Sequence, residues 1–380
     1  MIHRLYVNNF RCLENFDLPL KGMSSALLMG GNGSGKSTVL HVLEILQRIA
    51  RGENRTGHLL QPEDFSYGRF DAPMRFEIEV FLQERLYLYT LALELPEKFK
   101  ELRILEEALS VDGQAVYTRK EAEVSLFRRS PNSEDTARFL VDWHLAALPL
   151  IQASPDTESV RIFRTWLAHT VLLAPIPSLM TGESGGETLE PERDGSNFAE
   201  WFTGLLSRYP SSYTSVERSL RQVMPDIKDL LNRPVSDNVK SLAVRFREQN
   251  EDRARNAELT VRFKNLSDGE KCFFICAVIL AANESYGPLF CFWDEPDSHL
   301  SLSEVGHFIL SLRRAFGNSG QLLTTSHHPE AIRRFSDENT LLLFRRSHLE
   351  PTSVRRLDEI SFDGDLVEAL IRGDIPAYGD

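Results

Sequence analysis

Gly30-Gly31-Asn32-Gly33-Ser34-Gly35-Lys36-Ser37-Thr38 decides the fold. From Gly30 to Ser37 it follows the spacing G-x-x-x-x-G-K-[ST], with an apolar strand, Ala26 to Met29, before it and a helical pattern after it. Glycines at these positions let backbone N–H groups converge on phosphate oxygens, and the helix start adds partial positive charge. Lys36 then reaches the terminal phosphates and Ser37 offers its hydroxyl to Mg²⁺. The helix is expected from Lys36 to about Arg51. Val39, Leu40, Val42, Leu43, Ile45 and Leu46 crowd most of its circumference, which predicts burial against a sheet, and Gly52 supplies the stop.

Three later stretches supply chemistry to such a loop. Leu289 to Trp293 is an apolar run ending in Asp294-Glu295, the pattern of a buried central strand that delivers carboxylates at its C-terminal edge. Asp294 is assigned to Mg²⁺, and Glu295 to orienting and polarising an attacking water, although two acids at a strand end also serve as solvated caps. Ser267 and Glu270 in Leu266-Ser267-Asp268-Gly269-Glu270 make a capping box for a helix over Lys271 to Ala282. A capped first turn containing a glycine is also an anion site, and the two readings are compatible. His327 follows the apolar strand Gln321 to Thr325, where a neutral imidazole reaches a γ-phosphate or a water. His328 competes for that role, and the Ser-His order favours His327.

Alternating residues predict antiparallel strands at Arg4 to Phe10 with Phe16 to Leu20, and at Met74 to Leu82 with Arg85 to Leu95. Arg129 to Thr136 reads as a polar loop, Ala137 to Ala168 as helical, and Val171 to Ala174 as a short strand ended by Pro175 and Pro177. Thr181 to Ser196 reads as a mobile connector. Helices are expected at Asn197 to Ser207 and Ser215 to Asn232, the second kinked or split by Pro225, then strands at Leu242 to Glu248 and Glu258 to Phe263. The absence of a long heptad tract predicts a compact insertion and no coiled-coil arm. The expected organisation is a core lobe of 1–66 and 262–350, an inserted β-hairpin and helical lobe at 67–261, and a tail at 351–380 with solvated Asp358, Asp363 and Asp365.

A chain of 380 residues can bury a large core in one body of two lobes. No run of about 18 apolar residues occurs, and Met1-Ile2-His3-Arg4 leads into a strand, so a soluble, cytoplasmic protein without a membrane partner is expected. Cys12, Cys272, Cys276 and Cys291 lack metal-ligand spacing and read as reduced core residues. A net charge of −12 disfavours the whole surface as a nucleic-acid binder. A local strip, Arg245 and Arg247 through Arg253, Arg255 and Arg262, is interrupted by Glu248, Glu251, Asp252 and Glu258, so a solvated hairpin competes with contact to DNA.

Together these motifs resemble the ABC-type ATPase heads of the SMC, RecF and OLD group, over nearly the whole chain. Walker A is Gly30 to Thr38, the signature Leu266 to Lys271, Walker B Phe290 to Glu295, the D-loop Ser298-His299-Leu300 and the switch histidine His327. Asn8-Asn9-Phe10-Arg11 resembles the group's N-terminal NFR, which implies a nucleotide contact for Arg11. Asp194-Gly195-Ser196-Asn197 and Met224-Pro225-Asp226-Ile227 resemble the helical lobe of small OLD-like AAA family ATPases without a TOPRIM nuclease domain. The resemblance implies an α/β P-loop NTPase of the ABC ATPase type, with a mixed central sheet, an antiparallel β subdomain and a helical lobe. It implies ATP and Mg²⁺, a homodimer or higher homo-oligomer in which Leu266, Ser267, Asp268, Gly269 and Glu270 act in trans, and a separate effector such as a nuclease in antiphage defence. A RecF-like DNA-binding ATPase and a nucleotide-sensing scaffold are the alternatives. The interval from Ser37 to Leu266 argues against a transporter subunit. Asp268 stands where transporter heads usually carry glycine, and Gln61 and Gln152 compete as the Q-loop glutamine.

Overall fold

Ile2, Leu5 and Val7 are buried along β1 (Ile2–Asn8), and their side of the strand fixes how the following strands add to it. The computed structural model describes residues 1–127, 136–152, 154–247, 258–335, 337–360 and 367–369. They fall into two compact units, Met1–Thr170 with Phe335–Asp380, and Val171–Arg334. In the first unit β2 (Phe16–Pro19) pairs antiparallel with β1. Next come β3 (Ser25–Met29), buried at every residue, helix α1 (Lys36–Arg51), stopped by Gly52 at φ 110°, and the short α2 (Thr56–Leu59).

An antiparallel meander follows: β4 (Met74–Leu82), β5 (Arg85–Glu94), β6 (Arg103–Val111), β7 (Gln114–Lys120), β8 (Glu123–Phe127) and β9 (Thr136–Leu140). The sheet order is β2-β1-β4-β5-β6-β7-β8-β9. Helix α3 (Glu158–Ala168) lays Phe163 against Tyr89 at a ring separation of 5.4 Å. Gln47 of α1 donates to the Thr170 carbonyl at 2.5 Å and to its hydroxyl at 3.0 Å.

Glu107 and Arg119 are fully buried in this meander, 3.7 Å apart. Oε1 of Glu107 accepts from Tyr89 (3.1 Å), Tyr117 (2.9 Å) and the Leu148 amide (2.9 Å), and Oε2 from the Ala147 amide (2.7 Å). Arg119 donates to the carbonyls of Glu121, Asp142 and Leu145. Burial, with the neighbouring carboxylate, pushes both phenols well above their usual range. This network corrects the helical reading of Ala137 to Ala168, where only Glu158–Ala168 is α-helix and Thr136–Leu140 is a strand. Pro149 and Pro155 interrupt any longer helix, and a carboxylate takes amides that a helix would have used.

In the second unit β10 (Val171–Leu173) is followed by β11 (Glu183–Ser184), the first strand in sequence of a separate antiparallel sheet. Helices α4 (Phe198–Arg208) and α5 (Ser212–Val223) precede β12 (Ile227–Ser236), β13 (Val239–Arg247) and β14 (Glu258–Arg262). Strand β13 pairs antiparallel with β11, β12 and β14. Helix α6 (Asp268–Tyr286) is buried on most of its circumference and docks α5 through Ser212 and Ser285, whose hydroxyls are 2.7 Å apart. Then come β15 (Phe290–Trp293), α7 (Leu302–Asn318), β16 (Gln321–Thr325) and α8 (Pro329–Ile332). Strand β15 runs parallel between β10 and β16. The chain ends back in the first unit with β17 (Thr340–Phe344), parallel to β3, and β18 (Ser353–Arg356), antiparallel to β17.

Several expectations change here. Thr181 to Ser196 is docked: it contains β11, the Thr188 amide donates to Glu200 O at 3.2 Å, and Leu189 is buried. The helix expected through Asn232 ends at Val223, because Pro225 disfavours helical geometry at Met224, and Ile227 onward is β12. The compact units divide the chain at Thr170 and Arg334, so the expected 67–261 insertion is shared between them. Arg245 pairs with Asp229 at 3.2 Å and approaches Glu258 at 3.9 Å, as a solvated hairpin would. Residues 129–135 of the expected loop, together with Glu248, Glu251, Asp252, Arg253, Arg255, Asp363 and Asp365, lie outside the described residues. Asp358 is paired with Arg356. All four cysteines are free and buried. Among the described residues no helix is long and apolar enough to cross a membrane.

Candidate functional site

Two groups of residues, one in each unit, carry the motifs. In the first unit the loop from Gly30 to Gly35 joins β3 to α1. Gly30 has φ 155°, and a Cβ there would lie 2.3 Å from the Leu343 carbonyl oxygen, so only glycine fits. Gly35, at φ 102°, opens α1 without a side-chain cap. Lys36 lies across the loop, its Nζ donating to Gly30 O at 2.6 Å and to Gly31 O at 3.3 Å. Ser34 Oγ is buried without a partner. An uncapped helix start, an orphaned hydroxyl and an ammonium resting on loop carbonyls fit a triphosphate, which would supply acceptors to all three.

Arg11, at φ 50°, donates from Nε to Asp64 Oδ1 at 2.8 Å and from its amide to Asp64 O at 2.7 Å. Its guanidinium is therefore tied to the turn of residues 61–64. Gln61 donates its side-chain amide to Gly57 O at 2.8 Å, and Gln152 is exposed.

In the second unit every residue of β15 is buried, and the Asp294 amide donates to Leu173 O at 2.7 Å. Thr325, at the end of β16, donates its hydroxyl to Asp294 Oδ1 and accepts the Glu295 amide at 2.9 Å. Glu295 has φ 49°, a left-handed conformation that costs a non-glycine residue about 1–2 kcal/mol. Its Oε2 accepts from Ser298 Oγ at 3.1 Å, and its Oε1 lies 3.6 Å from His327 Nε2. Both side chains are about half exposed, at 47% and 50%. His328 faces inward and caps α8, its Nδ1 accepting the Glu330 amide at 3.1 Å. Burial pushes the Asp297 carboxyl up, and its Oδ2 accepts from Ser326 Oγ at 2.7 Å.

The capping box opens α6. Glu270 Oε2 accepts from the Ser267 amide at 2.7 Å and from its hydroxyl at 2.8 Å, and the Glu270 amide donates back to Ser267 Oγ at 3.3 Å. A Cβ on Gly269 would lie 2.9 Å from the His299 carbonyl, so glycine lets that loop approach the helix tip. Asp268 is exposed, 4.0 Å from His299 Nδ1, and Leu266 is buried. Among the described residues no three His, Cys, Asp or Glu side chains cluster as a metal site. A Mg²⁺ that keeps phosphate and water ligands needs few protein oxygens; Ser37 in the first unit carries a hydroxyl and Asp294 in the second a carboxylate.

A family model described as "AAA domain, putative AbiEii toxin, Type IV TA system" matches residues 25–333. The chain belongs to this AAA-domain family. A curated relative, an OLD nuclease of Thermus scotoductus (strain ATCC 700910 / SA-01), is 38% identical over 80 residues, which is 21% of the AAA-domain chain and only 14% of the relative. An SMC head bound to the C-winged helix domain of ScpA superposes with a TM-score of 0.53 at 14% identity, covering 94% of this chain and 98% of that one. An SMC head with an extended coiled coil, bound to the C-terminal domain of ScpA derived from Pyrococcus furiosus, gives 0.51 at 12%, covering 94% and 97%. The AAA-domain chain thus has the fold of SMC ATPase heads, as its motifs led one to expect. Thr325 and Asp297 went unread in the sequence, and Ser326 was read only as the neighbour of His327; the run Thr324-Thr325-Ser326 was the available signal.

Proposed function

We propose that this AAA-domain protein is a cytoplasmic ATPase that binds Mg-ATP and uses binding and hydrolysis to control a separate effector. The observation that carries the reading is the pair of Glu295 and His327, 3.6 Å apart, with the Glu295 amide bonded to Thr325. Phosphoryl transfer to water needs positioning more than covalent help. Glu295 accepts a proton from the attacking water and orients it, and His327 donates to the γ-phosphate or that water. Gly30 to Thr38 bind the triphosphate through backbone N–H groups and Lys36. Ser37 and Asp294 would each offer an oxygen to Mg²⁺, which when bound would neutralise charge on the triphosphate.

Leu266 to Glu270 then serve a nucleotide bound by a second copy, with the first-turn amides of α6 as donors. The kinship with an OLD nuclease over part of its length supports a nuclease as the effector, and antiphage defence is the setting that the motif resemblance implies. The pairing of Arg245 with Asp229 weighs against a DNA-binding strip there. Phosphate release from Mg-ATP by the natural protein and by Glu295→Gln tests the reading. The natural protein should hydrolyse ATP and the variant about 10²–10⁴ times more slowly; equal, near-zero rates would instead favour a nucleotide-sensing scaffold.

A further inference from the structure

His327 is flanked by residues that are better anchored than it is. At 3.6 Å from Glu295 its imidazole lies beyond hydrogen-bond distance, and its side chain is half exposed. Its position must therefore be set by its backbone. Ser326, before it, is 2% exposed and Asp297 is 5% exposed. The Ser326 hydroxyl donates to Asp297 Oδ2 at 2.7 Å and accepts the His328 amide at 2.9 Å, closing the peptide around His327 and tying it to the turn that begins at Glu295. That turn is itself closed by the Ser298 amide on Glu295 O at 3.3 Å and the Leu300 amide on Asp297 O at 3.1 Å. A buried hydroxyl-to-carboxylate bond is among the stronger side-chain hydrogen bonds, because one partner is charged and the surroundings are poorly screening.

On the other side, His328 Nδ1 accepts the Glu330 amide, so its hydrogen is on Nε2. That Nε2 is buried without a partner, as is Asp297 Oδ1. One is a donor and the other an acceptor.

We propose that Asp297 and Ser326 form a strut that positions His327 against Glu295, making both positioning residues for hydrolysis. The proposal rests on the reading of Glu295 and His327 as the hydrolytic pair. Ser326→Ala and Asp297→Ala should each lower kcat about 10–100-fold, the usual range for a supporting residue, while affinity for a fluorescent ATP analogue changes less than about 2-fold. Ser326→Thr, which keeps the hydroxyl, and Asp297→Asn, which keeps an acceptor for it, should retain most of the rate.

A double-mutant cycle separates this role from a general packing role. In a His327→Ala background, Ser326→Ala should change kcat by less than about 2-fold, because the side chain being positioned is already gone. Independent, multiplying losses in the double variant would overturn the strut. A second readout needs no hydrolysis: in protein labelled with ¹⁵N-histidine, Glu295→Gln should shift the His327 ring resonances, and should not do so in the Ser326→Ala background. If the natural protein hydrolyses no ATP, the proposed ATPase function falls while this readout still decides the strut. A response to Glu295→Gln that survives Ser326→Ala unchanged would reject it.

Discussion

Thr325 links the two acids that follow β15: its hydroxyl donates to Asp294 Oδ1 and accepts the Glu295 amide at 2.9 Å. A left-handed residue such as Glu295 is retained where its surroundings over-determine it, and one hydroxyl bonded on both sides does so here. Thr325→Val, nearly equal in shape, removes both bonds. It should cost about 1 kcal/mol of stability by removing the acceptor of a partly buried amide, and should slow phosphate release, whereas Thr325→Ser should preserve both. Urea unfolding with steady-state ATPase assays of the two variants checks this.

Lys36 rests on the carbonyls of Gly30 and Gly31, contacts that a triphosphate would replace. Mg-ATP at about a hundredfold excess over Kd should therefore stabilise the natural protein by about 2.7 kcal/mol and raise its Tm. Lys36→Ala should show no such rise. Differential scanning fluorimetry with and without Mg-ATP makes the measurement.

Glu107 and Arg119 are both fully buried, so the consequences of breaking the pair are lopsided. Glu107→Ala leaves a guanidinium buried without its carboxylate and strips the amides of Ala147 and Leu148 of their acceptor. A loss of about 3–5 kcal/mol is expected in urea unfolding. Replacing Glu106, whose carboxylate is half exposed and pairs with Arg75, should cost at most about 1 kcal/mol.

The phosphate loop was legible because its glycines, lysine and flanking strand and helix are contiguous, and α1 runs from Lys36 to Arg51 as read. The capping box was legible for the same reason. The strands β6 to β9 were not read, although Asp112-Gly113, both at positive φ, join β6 to β7 with a recognised hairpin pair. What hid the region was Glu107, a charged residue on the buried face of β6 whose partners lie 10 to 41 residues away. The Asp297–Ser326 bond was equally out of reach, since 29 residues separate its ends and neither residue type announces burial.

Docking of residues 181–196 was also missed, because glycines and acids resemble a linker. Gly204, inside α4, shows why the segment is held: a Cβ there would sit 2.2 Å from Thr188 O. Gly204→Ala should therefore destabilise by about 1–3 kcal/mol, against the gain of roughly 1 kcal/mol that alanine gives in an open helix. Chemical denaturation of this single variant reads the sign.

The most direct test of the proposed shared nucleotide site is the mass of Glu295→Gln by light scattering with Mg-ATP. The predicted result is a species of twice the 43.3 kDa chain mass that vanishes when Ser267→Arg is added. A monomer at saturating ATP, or a dimer indifferent to Ser267→Arg, would contradict it.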